Sequence, residues 1–191
     1  MPNPFIPLPV LLQKLDALRN EVLAQNLPEK QRSLHGRGQQ QDLEGWQAFV
    51  FAVAYSRCFK LSEMCVQLAE EQYSAHDATL RWVKGEQQQF LKIQLKGLVP
   101  EYINPRANLQ DLVTEKLNDS APSKDVVFVF FLERGSHTPT VTIPDHQKGG
   151  VWILGFSKAD HSEVFLVGAD SRYSHRGVVH YGTPASRPAE K

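Results

Sequence analysis

The stretch Asp77–Lys96, DATLRWVKGEQQQFLKIQLK, decides the fold of this chain. Two runs in which apolar and polar residues alternate flank a polar turn around Gly85, and such a pattern is typical of a β-hairpin. Successive side chains of a strand point to opposite faces, so in the second run residues 91, 93 and 95 share an apolar face and residues 92, 94 and 96 share a polar one. The hairpin therefore has one face suited to a core and one suited to polar contacts.

Two helical patterns precede the hairpin. The first has apolar residues at steps of three and four and predicts a helix over residues 7–25, which either packs on the core or serves as a dimerisation helix. In the second, Asp42 is the predicted N-cap of a long helix whose apolar positions continue to about Gln72. This pattern predicts one helix, or two with a break near Phe59.

A helix and several strands are predicted after the hairpin. Asn108 is the predicted N-cap of a helix through Leu117. The run 126–132 is continuously apolar, which predicts a central strand covered on both faces. Further strands are predicted over residues 140–143, 151–156, 163–167 and, at an edge, 178–181. This order predicts an α/β (α+β) fold in which helices flank a mixed central β-sheet.

Length and charge limit the class of protein. The 191 residues suffice for one domain with its own core, predicted over residues 43–182. An N-terminal helix and polar loop are expected over residues 1–42, and a flexible tail over residues 183–191. Lys and Arg together number 21, as do Asp and Glu, so the chain lacks the global positive field of many nucleic-acid binders.

The cysteines and the apolar runs indicate a compartment. Cys58 and Cys65 fall within the second helical pattern, and we expect two buried thiols on one helix face in a reducing environment. No apolar run approaches the roughly 20 residues of a membrane span. Residues 1–4 lack the basic region and the cleavage site of a signal peptide. The expected location is cytoplasmic, with no membrane partner.

The hairpin also carries a candidate chemical site. Asp77 is an anionic ligand at the start of its first strand, and Gln94 offers a neutral amide oxygen on the second. The backbone carbonyl of Leu95 lies beside Gln94, and Mg²⁺ prefers such oxygen ligands. Lys96 shares the face of Gln94 and can stabilise developing negative charge or help orient water. These residue types suit metal-dependent cleavage of a phosphodiester bond.

In this setting the residues resemble those of the PD-(D/E)XK nuclease-like superfamily. The resemblance rests on His76–Asp77, on Ile93–Lys96 and on the apolar strand 126–132, and it covers roughly residues 43 to 132. It implies a restriction-endonuclease-like αβββαβ core with extra C-terminal strands and an N-terminal helix. The family's acidic residue falls on Asp77, its second carboxylate on Gln94 and its lysine on Lys96.

Two positions depart from the family pattern. His76 stands in place of a proline, and Gln94 replaces a carboxylate, which lowers the negative charge of the site. The family often adds a glutamate from the preceding helix. Glu70 and Glu71 are the leading candidates for this acid, with Glu63 and Glu44 as the others.

The resemblance implies an endonuclease that uses Mg²⁺ or Mn²⁺ and acts on nucleic acid, with DNA favoured over RNA. Such nucleases often act as homodimers, because two strands need two sites. The alternative is a non-catalytic binding protein, namely a degenerate nuclease fold, an inhibitor or immunity-type factor, or an assembly factor. The neutral Gln94 and the balanced net charge favour that alternative.

Basic residues outside the motif are candidate phosphate contacts. Lys84 and Lys92, together with Arg106, are expected in a patch beside Lys96. Near the C-terminus, the further candidates for contact with phosphates or with a partner are Asp170, Arg172, His175 and Arg176. Charged residues of this kind are also common on ordinary solvated surfaces.

Overall fold

A computed structural model describes residues 3–11, 13, 14, 17, 40–69, 75–99, 103–119, 123–133, 140–146, 148–157 and 163–180. Its elements are β1 (Ile6–Pro7), α1 (Gln40–Phe59), β2 (Ser62–Leu68), β3 (Ala78–Lys84), β4 (Gln87–Leu98), α2 (Leu109–Asp119), β5 (Ser123–Leu132), β6 (Lys148–Phe156), β7 (Glu163–Asp170) and β8 (Ser174–His180). The predicted class, an α/β protein with a mixed sheet, is confirmed, although the sheet is larger than expected.

Within the described residues the strands form one eight-stranded sheet whose spatial order, β1 to β8, is the order of the chain. Strands β4, β5 and β6 are parallel, and the other neighbours are antiparallel. The predicted hairpin is confirmed as β3 and β4, with Ala78 paired to Ile93. Gly85, in the turn, has a φ of 63°, a left-handed value that tight hairpin turns favour at their first central position.

Helix α1 lies inside a curl of this sheet. Residues 47–56 of the helix are all buried, and a helix that is apolar on every side is one that other elements enclose. The ring of Tyr55 lies 6.0 Å from that of Trp82 in β3, 5.7 Å from that of Trp152 in β6 and 5.6 Å from that of Tyr173 after β7. One side chain thus contacts both halves of the sheet.

Strand β5 has a core on each face, as predicted for the apolar run. Its residues Val127, Val129 and Phe131 belong to the core around α1. The alternate residues of β5 belong to a second core with α2, together with Val113 and Leu117. The two helices therefore cover opposite faces of the sheet. The predicted pairing of the strands at 151–156 and 163–167, and the predicted C-terminal edge strand, are also confirmed, as β6–β7 and β8.

The prediction of helix as far as Gln72 is wrong. Helix α1 ends at Phe59, Lys60 has a φ of 53°, and residues 62–68 form strand β2. The apolar spacing of this segment suits a helix, but pairing with β1 and β3 selects the extended form. Cys58 and Cys65 therefore do not share a helix face: Cys58 is half-buried in α1, Cys65 is buried in β2, and neither is in a disulfide.

Two smaller predictions also need correction. Residues 140–143 are not a strand. The backbone of Thr142 instead makes two hydrogen bonds of 2.9 Å to the side-chain amide of Gln110 in α2, so its polar groups are satisfied without a sheet. Helix α1 begins at Gln40, so Asp42 lies within its first turn rather than at its cap.

The N-terminal segment joins the sheet. Ile6 pairs with Val66, and residues 8–11 are helical. Leu11 is fully buried in the core around α1, which agrees with a helix that packs on the core. Most of the predicted helix, the loop after it and the tail at 183–191 lie outside the described residues, so dimerisation through this helix stays a prediction. Neither α1 nor α2 combines the length and the apolar character needed to cross a membrane, among the residues described.

Asn108 caps helix α2 as predicted. Its Oδ1 accepts a hydrogen bond of 2.8 Å from the backbone N–H of Asp111. We expect Asn108→Ala to lower the free energy of unfolding by about 1 kcal/mol, because this N–H would lose its partner. Urea denaturation measures the change, with Asn118→Ala, an exposed position within α2, as the matched control. Equal effects of the two substitutions would contradict the capping role.

Candidate functional site

Asp77 lies immediately before β3 and beside β4, the strand that carries the other predicted site residues. Its N–H donates to the carbonyl of Ile93 at 2.8 Å, and its own carbonyl accepts from the N–H of Ala69 at 2.9 Å. Ala78, the next residue, pairs with the same Ile93, so Asp77 and Ala78 both lie against this residue of β4. The hairpin thus brings Asp77 to the strand that carries Gln94, Leu95 and Lys96.

The carboxylate of Asp77 is hydrogen-bonded to β4, the strand that carries the other predicted site residues. Its Oδ2 accepts a hydrogen bond of 2.6 Å from the backbone N–H of Leu95. In a strand, the N–H and the C=O of one residue leave toward the same edge. The carbonyl of Leu95, the third predicted ligand, is therefore on the edge of β4 that faces Asp77.

Lys96 lies two residues after Gln94 and shares its face of β4. It is half-buried, and this burial lowers the pKa of its ammonium, as does the nearby charge of Lys116. The charges of Asp77 and Glu44 act in the other direction and raise the pKa of Lys96. The net result is a lowered pKa, which increases the fraction of neutral amine at any pH.

Of the four candidate glutamates, Glu44 and Glu63 lie in the described part of the chain. Glu44 lies in α1 and acts electrostatically on Lys96. Glu63 lies in β2 next to Ser62, which pairs with Val83 at the end of β3 farthest from Asp77. Glu70 and Glu71, the leading sequence candidates, lie outside the described residues. Among the described glutamates of this set, Glu44 is the one placed near Lys96.

A buried glutamine lies beside this site and was not predicted from the sequence. Gln47, one turn after Glu44, is only 3% exposed and donates to Oε1 of Glu133 at 3.0 Å. A Cβ at Gly97 would come within 3.3 Å of its Nε2, so Gln47 packs directly against β4. The available signal was a lone polar residue in the apolar stretch that begins at Trp46. Gln47 thus lies against the residue of β4 that follows Lys96.

The predicted ligands suit a hard cation that keeps part of its water shell. A carboxylate from Asp77, an amide oxygen from Gln94 and a backbone carbonyl from Leu95 are all oxygen donors, which Mg²⁺ and Mn²⁺ accept. In the described part of the chain no three His, Cys, Asp or Glu side chains form a group that could hold a metal ion. The residue types of the predicted set are those of a magnesium-type site, whereas structural zinc sites take Cys and His ligands.

Lys96 should reduce stability in a pH-dependent way. The pKa of Lys96 in the folded chain is below its unfolded value, so the unfolded chain binds more protons between these values and the free energy of unfolding rises with pH there. At neutral pH, Lys96→Met should raise the free energy of unfolding by about 0.5–1 kcal/mol.

Urea denaturation between neutral pH and the ordinary lysine range measures this effect, with Lys92→Met as control because Lys92 is exposed on the same strand. The advantage of Lys96→Met should shrink as the pH rises through that window. An advantage that is constant with pH would refute the electrostatic explanation.

Comparisons of the chain with known protein families, with curated proteins and with solved structures gave no match.

Proposed function

We propose that the chain is a metal-dependent endonuclease with a PD-(D/E)XK-like core, and that it hydrolyses phosphodiester bonds in nucleic acid. The observation that carries the proposal is the hydrogen bond of 2.6 Å between the Asp77 carboxylate and the backbone of Leu95, between Gln94 and Lys96. The element order supports it: α1, three antiparallel strands β2–β4, α2, and then β5 parallel to β4. This is the αβββαβ order that the resemblance implies.

Each residue of the site has a role in this reaction. Asp77, Gln94 and the carbonyl of Leu95 would hold Mg²⁺ or Mn²⁺, which polarises the phosphate and acidifies a bound water. Lys96, with its lowered pKa, can take the proton of the attacking water when neutral, or stabilise the phosphoryl charge when protonated. The charge of Glu44 favours the protonated state of Lys96.

The substrate and the context follow from the same resemblance. DNA is favoured over RNA, a homodimer would supply one site for each strand, and a cytoplasmic location suits the two cysteines, neither of which is in a disulfide. Since the net charge is zero, attraction of the nucleic acid depends on local basic residues rather than on a global field.

The second candidate is a non-catalytic binding protein, for example an inhibitor, an immunity-type factor or an assembly factor. One observation favours it: in the predicted ligand set Asp77 is the one carboxylate, because Gln94 is neutral. Fewer charged ligands mean weaker binding of a divalent cation.

Two measurements separate the candidates. Purified protein is incubated with plasmid, linear duplex, single-stranded DNA and RNA in Mn²⁺, in Mg²⁺ or in EDTA. Thermal unfolding is followed in the same buffers, because an ion that binds only the folded chain raises its stability. The nuclease proposal expects EDTA-sensitive cleavage and a rise in Tm with Mn²⁺. No cleavage and no change in Tm would support the binding protein instead.

A further inference from the structure

A cleft of about 380 Å³ opens at the other end of the β3–β4 hairpin, where it meets the turn between β7 and β8. Its volume falls within the roughly 300–1,000 Å³ that is usual for ligand sites. It is lined by Trp82, Lys84, Gln87, Gln89, Arg172 and Tyr173. Asp77 and Lys84 lie at opposite ends of β3, which separates them by about 20 Å at the usual strand rise. The cleft is therefore separate from the candidate metal site.

Two cations at this cleft are held by aromatic rings and not by carboxylates. The guanidinium of Arg172 lies 5.7 Å from the ring centre of Trp82, and its Nη2 donates to the carbonyl of Phe90 at 3.1 Å. The ammonium of Lys84 lies 5.9 Å from the ring centre of Tyr173. Within the part of the chain that the structure describes, neither cation has an ion pair. Their positive charge is thus available to an anionic ligand.

The carboxylate of Asp170 is on the same turn but makes no ion pair with these cations in the described part of the chain, since its oxygens accept hydrogen bonds from other groups. Oδ2 accepts from the Tyr55 hydroxyl at 2.7 Å and from Nε1 of Trp152 at 3.1 Å. Oδ1 accepts from the backbone N–H groups of Arg172 at 2.7 Å and of Tyr173 at 3.0 Å. These four bonds hold the backbone of the turn in place, so Arg172 is presented from a rigid support.

The other groups that line the cleft suit a ligand that is larger than a simple anion and has hydrogen-bonding groups of its own. The indole of Trp82 supplies an aromatic wall to the cleft. The amides of Gln87 and Gln89 can both donate and accept, as contacts to the edge of a nucleobase require. The cleft volume of about 380 Å³ equals the volume of about a dozen water molecules in the liquid, and a phosphate ion alone would fill only part of it.

We propose that this cleft binds a nucleotide unit, with its phosphate between Lys84 and Arg172 and its base against Gln87 and Gln89. The unit comes either from a free nucleotide or from a single strand, which share this chemistry. The proposal does not rest on the cleavage reaction, since none of the lining residues belongs to the candidate metal site. The sequence predicts Lys84 in a basic patch beside Lys96. In the structure Lys84 instead lines the cleft together with Arg172.

Binding in EDTA tests the proposal without any contribution from cleavage. A fluorescein-labelled oligodeoxythymidylate is titrated by anisotropy, and unlabelled thymidine monophosphate, adenosine monophosphate and inorganic phosphate are added as competitors. Arg172→Gln and Lys84→Gln should each weaken binding about tenfold and lower the salt slope by about one. Arg172→Lys keeps the charge and should recover part of the affinity. Arg176→Gln, an exposed change on β8, should leave binding unchanged.

The competitors identify the source of the unit. Competition by mononucleotides at concentrations similar to those of the strand supports a free nucleotide, and binding of the strand alone supports a nucleotide within a strand. Competition by inorganic phosphate as strong as that by nucleotides would overturn the proposal. So would unchanged binding in both glutamine variants, provided that their Tm values match that of the wild type, or the absence of binding by every probe. Asp77→Ala should retain binding, so a failed nuclease assay does not affect this result.

Discussion

Replacement of Asp77 by asparagine is expected to lower metal-dependent cleavage by roughly a hundredfold to a thousandfold. The substitution removes the one carboxylate from the proposed ligand set, while the amide oxygen of asparagine can still accept the hydrogen bond from Leu95. The initial rate of plasmid cleavage in Mn²⁺ measures the effect. Because the hydrogen bond is kept, the Tm in EDTA should stay close to that of the wild type, which separates loss of metal chemistry from loss of folding.

A substitution at Gln94 can instead add a carboxylate to the proposed ligand set. Gln94→Glu adds the second carboxylate that the family pattern has at this position, and a ligand set with more charge binds a divalent cation more tightly. The Mn²⁺ concentration that gives half of the maximal rise in Tm should fall by about tenfold. Wild-type cleavage by Asp77→Asn, or an unchanged metal dependence in Gln94→Glu, would show that the ligands are assigned wrongly.

Replacement of Asp170 by alanine is expected to lower the free energy of unfolding by about 3–5 kcal/mol. The hydroxyl of Tyr55 and Nε1 of Trp152 would both lose their acceptor, and both rings are fully buried. Burial, and then the hydrogen bond to Asp170, raise the pKa of Tyr55 far above its ordinary value, so its hydroxyl remains a donor at alkaline pH. Urea denaturation with a constant m-value measures the loss.

Two further variants calibrate this prediction. Asp145→Ala removes an exposed carboxylate outside the sheet and should change the free energy of unfolding by less than about 0.5 kcal/mol. Tyr55→Phe removes one of the donors together with its need for an acceptor, and should cost about 1 kcal/mol. A loss in Asp170→Ala no larger than that in Tyr55→Phe would mean that the hydrogen bonds to Asp170 contribute little to stability.

The elements that the sequence predicts best are those whose local pattern and tertiary setting agree. The alternation around Gly85 identifies β3 and β4, and the continuous apolar run identifies β5 as a strand buried on both faces. Residues 62–68 are the opposite case, because their apolar spacing suits a helix while two neighbouring strands hold them extended. The spacing of apolar residues within one segment carries no information on which strands pair with that segment.

The same limit applies to the candidate site. The contact of Asp77 with β4 follows from the pairing within one hairpin, so it could be predicted. The electrostatic effect of Glu44 on Lys96 could not be predicted, because it depends on where α1 lies within the curl of the sheet. The meeting of Lys84 with Arg172 needs the same curl, which brings together residues far apart in the chain. Sheet curvature arises from the packing of many side chains and has no short sequence signature.

The identity between strand order and chain order has a consequence for biosynthesis. Each strand pairs with strands adjacent to it along the chain, so a nascent polypeptide can add one strand at a time as it emerges from the ribosome. Enclosure of α1 has to wait longer, since the acceptor for Tyr55 lies 115 residues further along the chain. A ribosome paused before β7 would therefore expose the apolar surface of α1, and a chaperone that binds such surfaces would find it at that stage of translation.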